Sequence, residues 1–94
     1  MTAARRIHAV VTGRVQGVGF RWATLEHAES AGLSGWVRNR PDGSVELEAQ
    51  GPVERIDDLE RWLHEGPRWA EVASVELRPI DVADDEADTA FEVR

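Results

Sequence analysis

Residues 13–21 read Gly13-Arg14-Val15-Gln16-Gly17-Val18-Gly19-Phe20-Arg21, three glycines in seven positions behind an apolar run and ahead of an arginine. Glycine admits positive φ and lets a ligand approach the main chain without a Cβ in the way. Successive N–H groups in such a turn can point into one concavity and hold an anion. A helix starting at Phe20 adds free N–H groups and a partial positive charge. Arg21 adds a planar fork of donors that fits phosphate or carboxylate oxygens. The chemistry is that of an oxyanion cradle, best suited to a phosphoryl group. On spacing alone the same run also reads as a plain tight connection with a solvated arginine, and that alternative stays open. It is neither familiar nucleotide loop: the chain has no lysine for a Walker ending, and the glycines break the G-x-G-x-x-G order.

The elements around the loop decide what can face it. Arg6 to Thr12 is β-branched and apolar and reads as an internal strand stopped by Gly13. Phe20 to Ala31 reads as a helix with Trp22, Leu25 and Ala28 on its buried side, ended by Gly32. Leu33 to Arg40 is a second strand, with Gly35, Val37 and Asn39 on one face and Trp36, Arg38 and Arg40 on the other. Pro41 to Ser44 turns the chain, and Val45 to Gln50 alternates as a third strand with one wet face. A second helix follows, with Pro52 in its first turn, Val53, Ile56, Leu59 and Leu63 as its buried stripe, and Gly66-Pro67 as its stop. Val72 to Ile80 is a fourth strand with Ala73, Val75 and Leu77 on one side, residues 81–88 an acidic mobile loop, and Ala90 to Val93 a short edge strand.

The order β-α-β-β-α-β predicts a ferredoxin-like α/β (α+β) fold: a split β-α-β sandwich, with two helices on one face of an antiparallel sheet. In the usual strand order 4-1-3-2, the ends of strands one and two lie on one sheet edge, about 10 Å apart at two strand spacings. That places Asn39 across from the glycine loop and makes it the second residue of interest. An asparagine near a turn also commonly caps its own backbone.

Ninety-four residues, 41% apolar, suit a single domain over 1–94 with one core. There is no membrane-length apolar run and no convincing leader, and the absence of cysteine makes the cytoplasm the default location. Residues 1–40 carry six arginines and two acids, net +4, whereas residues 41–94 carry five arginines and sixteen acids, net −11. An acidic chain is a poor general nucleic-acid binder, while its basic part surrounds the loop and suits a small anion. His8, His27 and His64 show no metal-ligand spacing, and Trp36, Trp62 and Trp69 read as packing residues. Trp22 reads as both core and loop support.

The 13–21 run resembles the signature loop of acylphosphatases. Gly35-Trp36-Val37-Arg38-Asn39, followed by Asp42-Gly43-Ser44-Val45-Glu46, is similar to their second signature, and Phe91-Glu92-Val93-Arg94 to their last strand. The likeness covers roughly residues 6 to 80, while 81–88 is longer and more acidic than the family's connecting segment. It implies metal-free, cofactor-free hydrolysis of the carboxyl–phosphate bond of a small-molecule acyl phosphate by a monomer, with inorganic phosphate as product and inhibitor and with no nucleic-acid or membrane partner. Carried over by position, Arg21 and the backbone N–H groups of Val15, Gln16, Gly17, Val18, Gly19 and Phe20 bind the phosphoryl group. Asn39 orients the attacking water, and a phosphoryl oxygen of the substrate takes the proton. The alternatives are a non-catalytic phosphate- or carboxylate-binding module on the same fold and an RNA-binding ferredoxin-like domain. Glu46 and Glu48 on the open sheet face argue against the second.

Overall fold

The computed structural model describes residues 3–83 and 90–94. In chain order they form β1 (Ala4–Arg14), α1 (Phe20–Ser30), β2 (Ser34–Asn39), β3 (Val45–Pro52), α2 (Val53–Glu65), β4 (Glu71–Ile80) and β5 (Phe91–Val93). The sheet order is β4-β1-β3-β2-β5. The first four strands pair antiparallel in the expected order. β5 pairs with β2 in parallel, from Gly35↔Phe91 to Val37↔Val93, so the sheet is mixed where a purely antiparallel one was expected. The direction follows from the order: β4 ends at the end of the sheet where β2 begins, so a strand entering there runs alongside β2.

One face of the sheet is the core. Ile7, Ala9 and Val11 of β1, Val37 of β2, Val45, Leu47 and Ala49 of β3 and Phe91 of β5 are buried there. Phe20 and Ala28 of α1 and Ile56, Leu59 and Leu63 of α2 cover them. The other face carries polar pairs across the strands. Arg6 meets Glu48 at 2.9 Å, His8 Nε2 donates to Glu46 at 2.7 Å, and Arg38 Nε donates to the same carboxylate at 2.6 Å. These pairs fix the register that turns Val37 and Asn39 inward, since a one-residue slip would exchange the faces.

Several local expectations change. The buried stripe of α1 is Phe20, Thr24 and Ala28, with Leu25 beside it, and Trp22 is 61% exposed. Phe20 sets this rotation by packing against Trp62 at 5.5 Å, and the Thr24 hydroxyl is satisfied by donating to the Phe20 carbonyl at 2.8 Å. Trp69 is also exposed, beneath the Arg68 guanidinium, and so is not a packing residue. The β1–β4 register shifts between Thr12 and Gly13, skipping Ala73, so Val72 joins Val75 and Leu77 against the core in place of Ala73. Pro52 is the N-cap of α2, at φ −57° and ψ 143°, not a first-turn residue, and it still pairs with Ala4. Gln50 holds Ala83 through two hydrogen bonds, and residues 84–88 of the expected acidic loop lie outside the described residues.

Candidate active site

The loop leaves the end of β1 and becomes α1 at Phe20. Gly17 and Gly19 sit at φ 73° and 81°, a left-handed region that a side chain makes costly, and Gly19 is the N-cap. Among the described residues no side chain caps this helix start. The first intrahelical bond is donated by Ala23 to the Gly19 carbonyl, so the preceding N–H groups of the first turn have no intrahelical acceptor. Val15 and Phe20 are buried at either side of the turn and pin it to the core. The sequence thus spends its apolar residues on anchoring the loop and its glycines on freeing the main chain.

Val15, Gly17, Gly19, Phe20, Arg21, Trp22 and Asn39 line one small cavity of about 90 Å³. The structure therefore brings Arg21 and Asn39 together with most of the loop. The side chains of Gln16 and Val18 turn elsewhere, Val18 against the core and Gln16 across to the next turn. Arg21 Nη1 donates to the Arg94 main-chain oxygen at 3.0 Å, leaving the other guanidinium N–H groups for a ligand. Arg94 is placed for this by β5, its own N–H donating to the Val37 carbonyl at 2.8 Å.

Asn39 closes β2 opposite Val45. The turn after it is organised by Asp42, which accepts from both the Ser44 N–H at 2.9 Å and the Ser44 hydroxyl at 2.5 Å. Those bonds, with Arg40 nearby, hold the Asp42 carboxyl below its ordinary pKa. Capping of the turn thus falls to Asp42. Among the described residues the Asn39 side chain makes no hydrogen bond, which leaves its amide available to the cavity.

Two contacts at the site had no signal in the sequence. Gln16 Nε2 donates to the carbonyls of Arg40, at 2.7 Å, and Ser44, at 2.9 Å, and so ties the loop to the turn that carries Asn39. The Arg21–Arg94 contact joins residues 73 positions apart. A larger open cleft, about 800 Å³, lies between α1 and α2. Its walls bear Glu26, Glu29 and Asp58 against a single Arg55, a charge balance that repels phosphate. Among the described residues no three His, Asp or Glu side chains group as metal ligands, and no helix is long and apolar enough to cross a membrane.

Fold and cavity together define a ferredoxin-like α+β domain with a small cavity at one end of its sheet, walled by the glycine loop, Arg21 and Asn39. The acylphosphatase family profile matches residues 7–93. The chain is 52% identical to an acylphosphatase of Bifidobacterium longum over 89 residues, covering 95% of this chain and 91% of the relative. It is 58% identical to one of Pseudomonas aeruginosa over 74 residues, 79% of this chain and 81% of that one. A solved acylphosphatase structure from Coxiella burnetii superposes with a TM-score of 0.89 at 43% identity, covering 97% of this chain and 93% of the other. The chain belongs to the acylphosphatase family.

Proposed function

We propose that the chain is a cytoplasmic, monomeric acylphosphatase that hydrolyses the carboxyl–phosphate bond of acyl phosphates without a metal. Residues 15–21 bind the phosphoryl group and Asn39 positions the water. Family membership supports the reaction class. The observation that carries the assignment of roles is that Arg21, the Gly17–Gly19 turn and Asn39 share one cavity.

An acyl phosphate needs little covalent help, because a carboxylate is a good leaving group and positioning with charge stabilisation can suffice. Arg21 and the N–H groups of the loop and first turn hold the phosphoryl oxygens and stabilise the charge that spreads over them in the transition state. The Asn39 amide holds a water beside the phosphorus. Its neutral amide cannot accept a proton, so it only aims. The water oxygen bonds to phosphorus and the bond from phosphorus to the acyl oxygen breaks. The carboxylate leaves with the electron pair, and the proton passes to a phosphoryl oxygen to give inorganic phosphate. The test is turnover of acetyl phosphate with and without excess EDTA. Equal rates support the proposal. Phosphate binding without turnover would leave a binding module, and a rate abolished by EDTA and restored by Mg²⁺ would require a metal.

A further inference from the structure

Phe20 belongs to two structures at once. It opens α1 and walls the cavity, while its side chain is buried in the core at 2% exposure. Its N–H is one of the first-turn donors without an intrahelical acceptor. Ring and N–H hang on one Cα, so whatever seats the ring also aims the last donor of the loop. Two residues at the C-terminal end of α2 seat it. Trp62 packs on its flank, with ring centroids 5.5 Å apart and planes tilted by 46°. Gly66 lies against its edge: a Cβ there would stand 2.8 Å from Phe20 Cε2 and 3.3 Å from Ala70 Cβ and Val72 Cγ2. Carbons pack best about 3.5–4.0 Å apart, so a side chain at 66 has to displace a buried ring. Gly66 is itself held in place. It ends α2 at φ 69° and ψ −173°, a region essentially reserved for glycine, and its N–H donates to the Trp62 carbonyl at 2.7 Å.

Trp62 has a second hold on α1. His27 stacks on it at 5.2 Å and 26°, about two helical turns beyond Phe20. One indole thus grips α1 at two levels, and neither rolling nor sliding of the helix keeps both contacts. Among the described residues, neither Trp62 nor Gly66 walls the cavity. We propose that Trp62 and Gly66 are positioning residues for phosphoryl binding: they seat Phe20, and through it set the N–H groups at the start of α1 where the phosphoryl oxygens need them. This rests on the proposed phosphoryl binding by residues 15–21. Those donors meet the phosphoryl group in substrate, transition state and product alike. Disturbing them therefore shows in phosphate affinity and KM, not in kcat alone.

The test measures the Kd of inorganic phosphate by calorimetry, with KM and kcat for acetyl phosphate, at a temperature where circular dichroism shows each variant folded. Trp62→Leu keeps an apolar side chain but removes the aromatic contact. It should weaken phosphate binding and raise KM roughly three- to tenfold, short of the about 10²-fold that a 1 Å misplacement can cost. Trp62→Phe, which keeps an aromatic face for Phe20, should stay within about twofold of wild type. Ile56, buried in α2 and about 9 Å along the helix from Trp62, reports packing alone. Ile56→Val should lower Tm and leave the phosphate Kd unchanged. Gly66→Ala should also weaken phosphate binding, and its penalty should shrink at least about threefold in a Phe20→Leu background, which has no atom where Cε2 stood. Backbone strain at residue 66 is the same in both backgrounds, so a penalty equal in the two would remove Gly66 from the assignment. A Trp62→Leu variant with lowered Tm but the wild-type phosphate Kd would overturn the proposal and leave the cradle standing. A wild type that binds no phosphate would instead remove the cradle, and this inference with it.

Discussion

Arg21 and Asn39 have separable roles, and substitution should separate them. Arg21→Ala should cost at least about 10²- to 10³-fold in kcat/KM, the scale set by loss of one preorganised charge-stabilising group. Lysine should rescue poorly because a point charge cannot form the fork. Circular dichroism should show the fold intact, since Arg21 is only half-buried and, among the described residues, its side chain bonds only the Arg94 main-chain oxygen. Asn39→Ala should lower kcat with little change in KM. Asn39→Asp should be at least as damaging, because its charge faces the phosphoryl group at a cost of about 1 to 4 kcal/mol. Acid should partly restore the Asp variant by protonating it, and an Asp variant as active as wild type at neutral pH would point to base catalysis. Gln16→Ala should lower kcat more than it weakens phosphate binding, because its amide holds the Asn39 turn against the loop. A Gln16→Ala variant with phosphate affinity lost and kcat kept would contradict that division.

The two-strand unit of β2 and β3 carries Asn39, and its polar face makes it pH-sensitive. Glu46 has its pKa lowered first by the His8 hydrogen bond and then by Arg38. A carboxylate with a depressed folded-state pKa gives stability that is present above its unfolded value, about 4.3, and lost as pH falls through the lower folded value. Melting temperature should therefore fall below about pH 4, and less steeply in Glu46→Gln, which should also be less stable than wild type at neutral pH. A Glu46→Gln variant with the wild-type acid profile would place that sensitivity elsewhere. At this scale the sequence was legible wherever one element's own pattern decides. Alternation alone put Val37 and Asn39 on the core face, and Gly32 and Gly66 marked both helix ends. It failed where the partner decides. The rotation of α1 depends on Phe20 meeting Trp62 from another helix, and the face of Ala73 depends on a register shift opposite Thr12 and Gly13. The parallel pairing of β5 likewise has no local signature.

Across the whole molecule the glycine loop and Asn39 were both visible in the sequence as candidates, because residue type and strand order suffice to bring them to one sheet edge. The two tethers, Gln16 to the 40–44 turn and Arg21 to Arg94, were not, because a side-chain-to-carbonyl contact leaves no trace in residue type. The molecule is acidic overall, at net −7, and concentrates arginine in the part that bears the loop. Inorganic phosphate should therefore bind there and stabilise the native state. At ten times its Kd the gain is about 1.4 kcal/mol, or roughly 6–11 °C for a domain of this size. The shift should vanish in Arg21→Ala, and a melting temperature indifferent to phosphate would count against the loop as the site.

The most direct measurement is single-substrate turnover of acetyl phosphate by the wild type and Arg21→Ala, in excess EDTA, with released phosphate followed over time. Rapid chelator-insensitive hydrolysis by the wild type, and loss of at least about 10²-fold in a folded Arg21→Ala, is the result expected of a metal-free phosphoryl cradle built on Arg21. Near wild-type turnover by Arg21→Ala would contradict it.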